Sequence, residues 1–310
     1  MPGDTINLGM VGMGKIADDQ HRPAIEANSR FRLLATADPH AAVDGITAYT
    51  EMSTMLAAEP EINAVSICTP PAIRAGLAQQ ALAAGLHVLL EKPPATEPAG
   101  LNELVKEAGR RGVSLYTAWH SRESAAVDAA RDWLADKRIE TATVTWKEDV
   151  RHWHPGQEWL LGKHGFGVFD PAINAFSILT RILPETVTME SAELVIPENR
   201  QSPVTAKVLM RHGASVPIRA ELDILHTGVQ QWDIVIATNG GRLELSRGGH
   251  CLAIDGDIVS EAEDDEYPRI YARFAELIDR GESDVDGSPL ALVCDALEQG
   301  HTTIGRGFDF

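Results

Sequence analysis

The sequence is poor in cysteine and lacks long apolar runs, and each shortage excludes a class of protein. Its 310 residues include three cysteines, Cys68, Cys251 and Cys294. An odd number of widely spaced cysteines without a CxxC pair indicates a reduced protein with no disulfide framework. No stretch reaches the roughly 18 apolar residues of a membrane span, and the N-terminus lacks the features of a signal peptide. These absences predict a soluble, cytoplasmic protein that does not enter a membrane.

Basic charge is also scarce. There are 27 Lys and Arg residues against 45 Asp and Glu residues, which gives a formal net charge of −18. Nucleic acids and anionic membranes need a basic surface, so this balance argues against both as partners. A neutral small molecule such as a sugar, or a cofactor bound by backbone amides, fits the composition better.

The first 120 residues alternate apolar strand-like runs with helical patterns. Strands are predicted at 6–11, 31–37, 63–68, 87–90 and 113–119. Strands that alternate with helices form βαβ units and a parallel sheet covered by helices on both faces.

Beyond Trp119 the pattern changes to period-two strands, which predict an antiparallel sheet with one covered face. Its strands are expected over 139–150 and between 185 and 260, including a tight turn at Asn239-Gly240-Gly241. Helices are predicted near 123–137, 165–182, 266–280 and 289–299. The predicted class is α/β, with a Rossmann dinucleotide-binding domain over 1–122 and an α+β substrate domain over 123–310.

A glycine loop follows the first predicted strand. Residues 12–17 read GMGKIA, a G-x-G-x-x-A pattern. In such a loop the first glycine permits a tight turn, the second lets the backbone approach a pyrophosphate, and the small last residue allows close helix packing. The loop opens a helix, and Asp38 ends the next strand about 20 residues on. This context predicts a dinucleotide site, the alternative being a glycine-rich loop with no ligand.

Asp38 bears on the choice between NAD and NADP. A carboxylate at this position accepts hydrogen bonds from the ribose hydroxyls of NAD and repels the 2′-phosphate of NADP. His40 and Lys15 are close enough in sequence to soften that repulsion. NAD is favoured and NADP is not excluded.

The fourth strand ends in Glu91-Lys92-Pro93-Pro94. Ligands of open α/β sheets bind at the carboxyl ends of the strands, where Thr69, Pro70 and His120 are also predicted to lie. The prolines restrict the backbone around Lys92. Lys92 is therefore either a solvated turn residue or a catalytic cation.

Three motifs together resemble the glucose–fructose oxidoreductase/inositol dehydrogenase/MocA (Gfo/Idh/MocA) family: GMGKIA, the EKP of 91–93, and the Asp of GFGVFDPAIN at 165–174. The resemblance implies a Rossmann domain, an open antiparallel sheet domain, and a Lys92 that lies between nicotinamide and substrate. The sheet of the second domain is also expected to form the contact of a homodimer or homotetramer. It further implies a cis Lys92–Pro93 bond. The implied cofactor-binding residues are Gly12, Gly14, Lys15, Ile16, Asp38, His40, Thr69, Pro70, Glu91 and Lys92.

Longer segments are similar to a narrower group, the bacterial L-arabinose/D-galactose 1-dehydrogenases. They are 146–159, 165–184, the strand with Trp232, and RGESDV at 280–285. The similarity implies an NAD(P)-dependent aldose 1-dehydrogenase that oxidises L-arabinose, D-galactose or both at C1 to the aldonolactone. The alternatives are a dehydrogenase of another sugar or a cyclitol, and a non-catalytic NAD(P)-binding sugar sensor.

The catalytic residues implied by the resemblance are Lys92, Asp170 and Asn174. Many family members have Asp-x-x-x-His here, whereas this chain has Asn174 at the histidine position. Spacing i, i+4 still puts both side chains on one helix face. A neutral amide cannot act as a base, so Asn174 is expected to position a hydroxyl. Asp170 and Lys92 both remain candidates for the base.

Glu148, Trp153 and His154 are inferred from the chemistry of pyranoses, whereas His120 and Trp232 match sugar-contacting positions of the narrower group and so are implied by that similarity. Indole rings stack on the C–H faces of sugars, while carboxylate, imidazole and amide groups bind pairs of hydroxyls. The spacing of His152 and His154 is a poor ligand pattern, so no metal is predicted. The predicted substrate-binding residues are Lys92, His120, Glu148, Trp153, His154, Asp170, Asn174 and Trp232.

Overall fold

The computed structural model describes residues 4–263 and 265–310, and the chain divides into two compact units. The first comprises Met1–His120 and Tyr267–Gly287, and the second Ser121–Glu266 and Ser288–Phe310. The sequence predicted a single boundary after 122. Residues 267–287 instead return to the first unit, because the apolar side chains of Tyr271 and Phe274, among others, belong to its core.

The first unit contains a six-stranded parallel sheet in the order β3-β2-β1-β4-β5-β6. This is the strand order of a dinucleotide-binding Rossmann fold. Side chains of the central strands are buried on both faces of the sheet, which explains their continuous apolar runs. The strands are β1 (Ile6–Val11), β2 (Phe31–Ala37), β3 (Thr47–Tyr49), β4 (Ala64–Ile67), β5 (His87–Glu91) and β6 (Leu115–Ala118).

Helices connect these strands. Three of them, α1 (Arg22–Glu26), α3 (Pro71–Ala83) and α4 (Pro98–Arg111), carry proline in the first turn, where the missing N–H costs nothing. Helix α4 ends at Gly112 with φ 66°, a left-handed cap. The helical segments are a π-helical turn (Ala17–His21), α1 (Arg22–Glu26), α2 (Met52–Ala58), α3 (Pro71–Ala83) and α4 (Pro98–Arg111).

The second unit contains a nine-stranded mixed sheet in the order β14-β13-β12-β11-β7-β10-β9-β8-β15. The pairs β7/β10 and β8/β15 are parallel, and the other pairs are antiparallel. The strands are β7 (Ile139–Lys147), β8 (Val187–Pro197), β9 (Thr205–His212), β10 (Val216–Asp223), β11 (Gln231–Thr238), β12 (Gly241–Ser246), β13 (Cys251–Ile254), β14 (Asp257–Glu261) and β15 (His301–Gly305).

Helices pack on one face of this sheet. Helix α7 (Phe169–Ile182) contacts β7 and β11, and α9 (Ser288–Gln299) contacts β8. On β10, buried Ile218 and Leu222 alternate with exposed Arg219 and Glu221, as expected for a sheet with one covered face. The helices are α5 (Val127–Leu134), α6 (Val150–Trp153), α7 (Phe169–Ile182), α8 (Glu266–Arg280, which returns to the first unit) and α9 (Ser288–Gln299).

The predicted fold class is confirmed: a Rossmann-type parallel sheet is followed by a second, mostly antiparallel sheet domain. The two-residue turn is also confirmed, since Thr238 pairs with Gly241 across it. The strand predicted over 139–150 ends earlier, at Lys147, because α6 begins at Val150. None of the helices within 4–263 and 265–310 combines the length and apolar character needed to cross a membrane.

Candidate active site

The glycine loop joins β1 to the first helical turn. Gly12 has φ 89°, and a Cβ added to it would lie 2.9 Å from the backbone N of Thr69. A Cβ on Gly14 would have no described atom within 4 Å. Backbone packing therefore requires glycine at 12, whereas Gly14 leaves the loop open to the close approach that a pyrophosphate needs.

Asp38 lies at the end of β2 and is bound to the same loop. Its Oδ2 accepts the N–H of Met13 at 2.8 Å, and its Oδ1 accepts the N–H groups of His40 and Ala41 at 2.8 and 3.0 Å. A carboxylate has about four acceptor sites, so these bonds leave capacity for a ribose hydroxyl. The ammonium of Lys15 forms an ion pair with Asp19 on the next turn.

Thr69 follows β4 beside the glycine loop. Its Oγ1 is buried and has no hydrogen-bond partner among the described residues. The next residue, Pro70, caps α3, and the buried guanidinium of Arg74 donates to the carbonyl of Thr69. The open backbone at Gly14, the orphaned Thr69 hydroxyl and the carboxylate of Asp38 together fit a nicotinamide dinucleotide at this edge of the sheet.

Lys92 follows β5, and its bond to Pro93 is cis, as predicted. The N–H of Lys92 donates to Oε2 of Glu91 at 3.0 Å. The side chain of Glu91 is buried, and its Oε1 accepts the hydroxyl of Tyr267 at 2.7 Å and lies 3.0 Å from Nε2 of His21. His120 stacks on the ring of Tyr267, with centroids 5.8 Å apart. The Glu91 carboxylate thus points into the protein.

Electrostatics make His21 and Glu91 an ion pair. Burial raises the pKa of Glu91, but the hydrogen bond and charge of His21, then His120 and Tyr267, lower it to about 2. Burial lowers the pKa of His21. The interactions of His21 with Cys68, Tyr271 and Glu91 outweigh this effect and raise the pKa well above its ordinary value. The raised pKa of His21 and the lowered pKa of Glu91 both favour the charged forms of the pair.

Two buried carboxylates face one histidine in the second unit. Glu148 follows β7 and Asp170 lies in the first turn of α7. Nε2 of His154 is 3.9 Å from Oε1 of Glu148 and 3.9 Å from Oδ2 of Asp170. Both distances exceed a hydrogen bond. The three side chains, which come from three separate segments, therefore form one acidic cluster.

Three tryptophans lie beside this cluster. The indole N–H of Trp232 donates to Oε2 of Glu148 at 2.7 Å. Its ring is stacked with that of Trp146, with centroids 5.8 Å apart, and is tilted against that of Trp153, with centroids 5.0 Å apart. Trp153 is 37% exposed, and its indole N–H donates to Gln230 at 2.7 Å. An exposed indole next to buried carboxylates is suited to a sugar.

The segment before α7 fixes Asp170. A Cβ on Gly167, which has φ 56°, would lie 2.1 Å from the carbonyl oxygen of Pro203, so only glycine fits. One helical turn beyond Asp170, Oδ1 of Asn174 is buried with no hydrogen-bond partner among the described residues. An unpartnered amide oxygen next to an acidic cluster is able to accept a hydrogen bond from a ligand hydroxyl.

The predicted site residues thus form two groups, one in each unit. The prediction missed His21, Arg74 and Tyr267 in the first unit and Gln230 in the second. Arg74 offered one signal, as the single charge in an otherwise uncharged helix, PAIRAGLAQQALA. No group of three or more His, Cys, Asp or Glu residues within the described ranges is arranged to bind a metal; the metal-free site stays a prediction.

A Rossmann sheet with a glycine loop, joined in one chain to a sheet domain with an acidic cluster, defines a nicotinamide-dependent oxidoreductase. Residues 6–118 match the family model described as "Oxidoreductase family, NAD-binding Rossmann fold" (Gfo/Idh/MocA). The chain belongs to the Gfo/Idh/MocA oxidoreductase family, and the resemblance that its motifs suggested is confirmed.

Two relatives with named activities show which members of the family this chain is similar to. The chain is 44% identical to a galactose 1-dehydrogenase from Pseudomonas fluorescens, over 94% of its own length and 95% of the relative's. It is 30% identical to an inositol 2-dehydrogenase from Rhizobium meliloti, over 62% of its own length and 60% of the relative's. The similarity to the first extends through both units.

Solved structures give the same fold. The crystal structure of a D-galactose-1-dehydrogenase protein from Rhizobium etli superposes with a TM-score of 0.94 at 47% identity, and covers 99% of each chain. A 3-ketoreductase from Actinomadura kijaniata, solved with NADP and TDP-benzene, has a TM-score of 0.86 at 18% identity, over 97% of this chain and 100% of the other. The second likeness concerns the fold alone.

Proposed function

We propose that the protein is an NAD(P)-dependent aldose 1-dehydrogenase that oxidises D-galactose, L-arabinose or both at C1 to the aldonolactone. The observation that carries the proposal is the cluster of Glu148, His154 and Asp170 beside Trp153 and Trp232. It belongs to a chain that is 44% identical to a galactose 1-dehydrogenase over 94% of its length.

The cluster has the chemistry of a pyranose site. The buried carboxylates of Glu148 and Asp170 accept hydrogen bonds from sugar hydroxyls, and the indole N–H of Trp232 keeps the Glu148 carboxylate in one orientation. The rings of Trp153 and Trp232 offer apolar faces to the C–H groups of the sugar. D-galactose and L-arabinose share their ring configuration and differ by the hydroxymethyl at C5, so one arrangement of these groups is expected to bind both.

The reaction needs a hydride acceptor and a base. A bound nicotinamide supplies the acceptor. Asp170 and Lys92 are the two groups proposed to take the proton of the C1 hydroxyl, while Asn174, through its amide oxygen, orients that hydroxyl. An anomeric hydroxyl is more acidic than a simple alcohol, so a modest base suffices.

NAD is the proposed cofactor in preference to NADP. The negative charge of Asp38 stands at the end of β2, where it favours ribose hydroxyls over a 2′-phosphate. The pairing of Lys15 with Asp19 supports this preference, because it lessens the help that Lys15 would give a phosphate.

The exposed face of the second sheet is the proposed contact of a homodimer or homotetramer. Thr143 on β7 and Arg219 on β10 lie on this face, opposite the helices. Light scattering coupled to gel filtration measures the number of subunits, and a monomer would contradict this part of the proposal.

The experiment that tests the function is nicotinamide reduction, followed by absorbance, with D-galactose, L-arabinose, D-glucose and myo-inositol. Each is offered with NAD and with NADP. We expect reduction with the first two sugars and a higher kcat/KM with NAD. Reduction with myo-inositol alone would make the protein a cyclitol dehydrogenase, and binding of cofactor without turnover of any substrate would favour a sensor.

A further inference from the structure

A connected set of buried polar groups lies beneath β5 in the first unit. Nδ1 of His21 is 2.8 Å from the hydroxyl of Tyr271, which is 2.9 Å from Oγ of Ser66. Nε2 of His21 is 3.0 Å from Oε1 of Glu91, which also accepts the hydroxyl of Tyr267 at 2.7 Å. Neither the proposed reaction nor the proposed cofactor contacts uses His21.

This network ends on the backbone of Lys92. Oε2 of Glu91, the oxygen that faces away from His21, accepts the N–H of Lys92 at 3.0 Å. On the other side of the lysine, the buried guanidinium of Arg74 donates to the carbonyl of Pro93. The short segment that carries the lysine is therefore bound at both ends by buried charged side chains.

We propose that His21 and Glu91 are positioning residues for Lys92: the His21 ring and the Tyr267 hydroxyl fix one carboxylate oxygen of Glu91, so that the other fixes the backbone from which the Lys92 side chain extends. The inference rests on the proposed function, in which Lys92 acts in catalysis. It adds His21, Glu91 and Tyr267 to the residues on which turnover depends, although none of them needs to touch the substrate.

Energetics support a positioning role over a purely stabilising one. Desolvation cancels much of the attraction within a buried ion pair, and a well-packed apolar pair is often at least as stabilising. The charged form of this pair is nevertheless favoured, since the pKa of His21 is raised and that of Glu91 is about 2. An ionised carboxylate accepts the Lys92 N–H more strongly than a neutral group would.

The test is Glu91→Gln, with Glu107→Gln as the matched control. Glutamine keeps the size of the side chain, but its single acceptor oxygen cannot meet the donors from His21, Tyr267 and Lys92 at once. Glu107 is another buried glutamate of the same unit, paired with Arg110 and Arg111 on α4.

We expect kcat to fall about a hundredfold in Glu91→Gln, the cost of a displaced catalytic group. Hydrogen exchange at the Lys92 amide should accelerate about tenfold, the equivalent of one hydrogen bond. Glu107→Gln should change neither quantity. Unchanged kcat and exchange in a folded Glu91→Gln protein would overturn the proposal.

If Glu91→Gln does not fold, a less disruptive substitution tests the same proposal. Tyr267→Phe removes one donor to Glu91, and Tyr49→Phe removes the matched hydroxyl that donates to Glu59 at 2.8 Å elsewhere in the unit. We expect kcat to fall about fivefold in Tyr267→Phe and to stay unchanged in Tyr49→Phe. Equal kcat values in these two variants would contradict the inference.

Hydrogen exchange keeps this proposal separable from the proposed function. If the unaltered protein reduces no cofactor with any sugar, the function fails, while faster exchange at Lys92 in Glu91→Gln still supports the anchoring of its backbone. If the protein is active but neither variant lowers kcat, the positioning inference fails and the function stands.

Discussion

Each unit contains a histidine beside buried carboxylate groups, and the two units differ in how far the histidine lies from its carboxylates. In the first unit His21 is fully buried and lies 3.0 Å from Glu91. In the second, Nε2 of His154 is 3.9 Å from both Glu148 and Asp170, and the His154 side chain is 19% exposed. The first group has hydrogen-bonding geometry and the second does not.

This difference indicates that the group in the first unit positions other residues, whereas the group in the second unit binds a ligand. The Glu91 carboxylate meets three donors from its own unit, so it suits a fixed internal role. In the second unit the ring of Trp153 is 37% exposed. Asn174, one helical turn after Asp170, has an amide oxygen that is buried without a hydrogen-bond partner among the described residues. A polar group that is buried without a partner costs free energy unless a ligand satisfies it. We therefore assign the sugar to the second cluster.

The largest expected effect is on the second cluster. Asp170→Asn removes a negative charge and a candidate base while keeping the shape of the side chain. We expect kcat for D-galactose to fall about a thousandfold, within the range for general-base catalysis, with the dissociation constant for NAD unchanged. The control is Asp233→Asn, which alters a half-buried carboxylate next to Trp232 in sequence. Comparable kcat values in the two variants would make Lys92 the base.

The pair of His21 and Glu91 should make the stability of the protein depend on pH in acid. The folded pKa of Glu91 is about 2, below its ordinary value of 4.5. Its ionised form is therefore favoured by the folded state above the ordinary pKa, and this contribution to stability is lost as the pH falls towards about 2. The charged or titratable groups that face Glu91 are His21, His120 and Tyr267.

The measurement for this pair is the midpoint of thermal unfolding at a series of acidic pH values. The unaltered protein should lose stability more steeply than Glu91→Gln as the pH falls. Parallel curves would mean that Glu91 is not the carboxylate whose protonation matters.

Asp38 combines features of the two clusters. Backbone N–H groups donate to both of its carboxylate oxygens, as internal donors do to Glu91, but Asp38 is also expected to bind a ligand. Asp38→Ser should raise the NADP-to-NAD ratio of kcat/KM about tenfold, through loss of repulsion with a 2′-phosphate. The substitution should also weaken the binding of NAD, since the N–H of Met13 in the glycine loop loses its acceptor. Asp44→Ser, on the exposed loop that follows, is the control. An unchanged ratio would refute the assigned role.

The smallest effect is expected at the edge of the second cluster. Trp232→Phe keeps an aromatic face but removes the N–H bond to Glu148. We expect KM for D-galactose to rise about fivefold, the value of one hydrogen bond, with kcat little changed. Trp133→Phe, on α5 of the same unit, serves as the control; a matching rise there would point to general destabilisation.

How far the fold could be predicted depended on burial. Strands β1 and β2 were predicted with the bounds that they have, because buried parallel strands are continuous apolar runs. Strands β3 and β15 were missed, since they are short and mostly exposed and so lack that pattern. The return of 267–287 to the first unit was also missed, because an amphipathic helix does not specify which core it joins.

The same limit applies to the site. Lys92 and Asp170 stood out through local motifs and the family resemblance. His21 carries no local motif, and its partners Glu91 and Tyr271 are 70 and 250 positions away in the chain. Contacts over such separations arise from topology, which the local sequence pattern does not encode.

The central claim is that the protein removes hydride from C1 of an aldose. The most direct test uses D-galactose deuterated at C1, with NAD, followed by mass spectrometry of the reduced cofactor and the sugar product. We expect deuterium to move to the reduced nicotinamide and the product to be the lactone or its acid. Reduced cofactor without deuterium, together with transfer from galactose deuterated at another carbon, would contradict it.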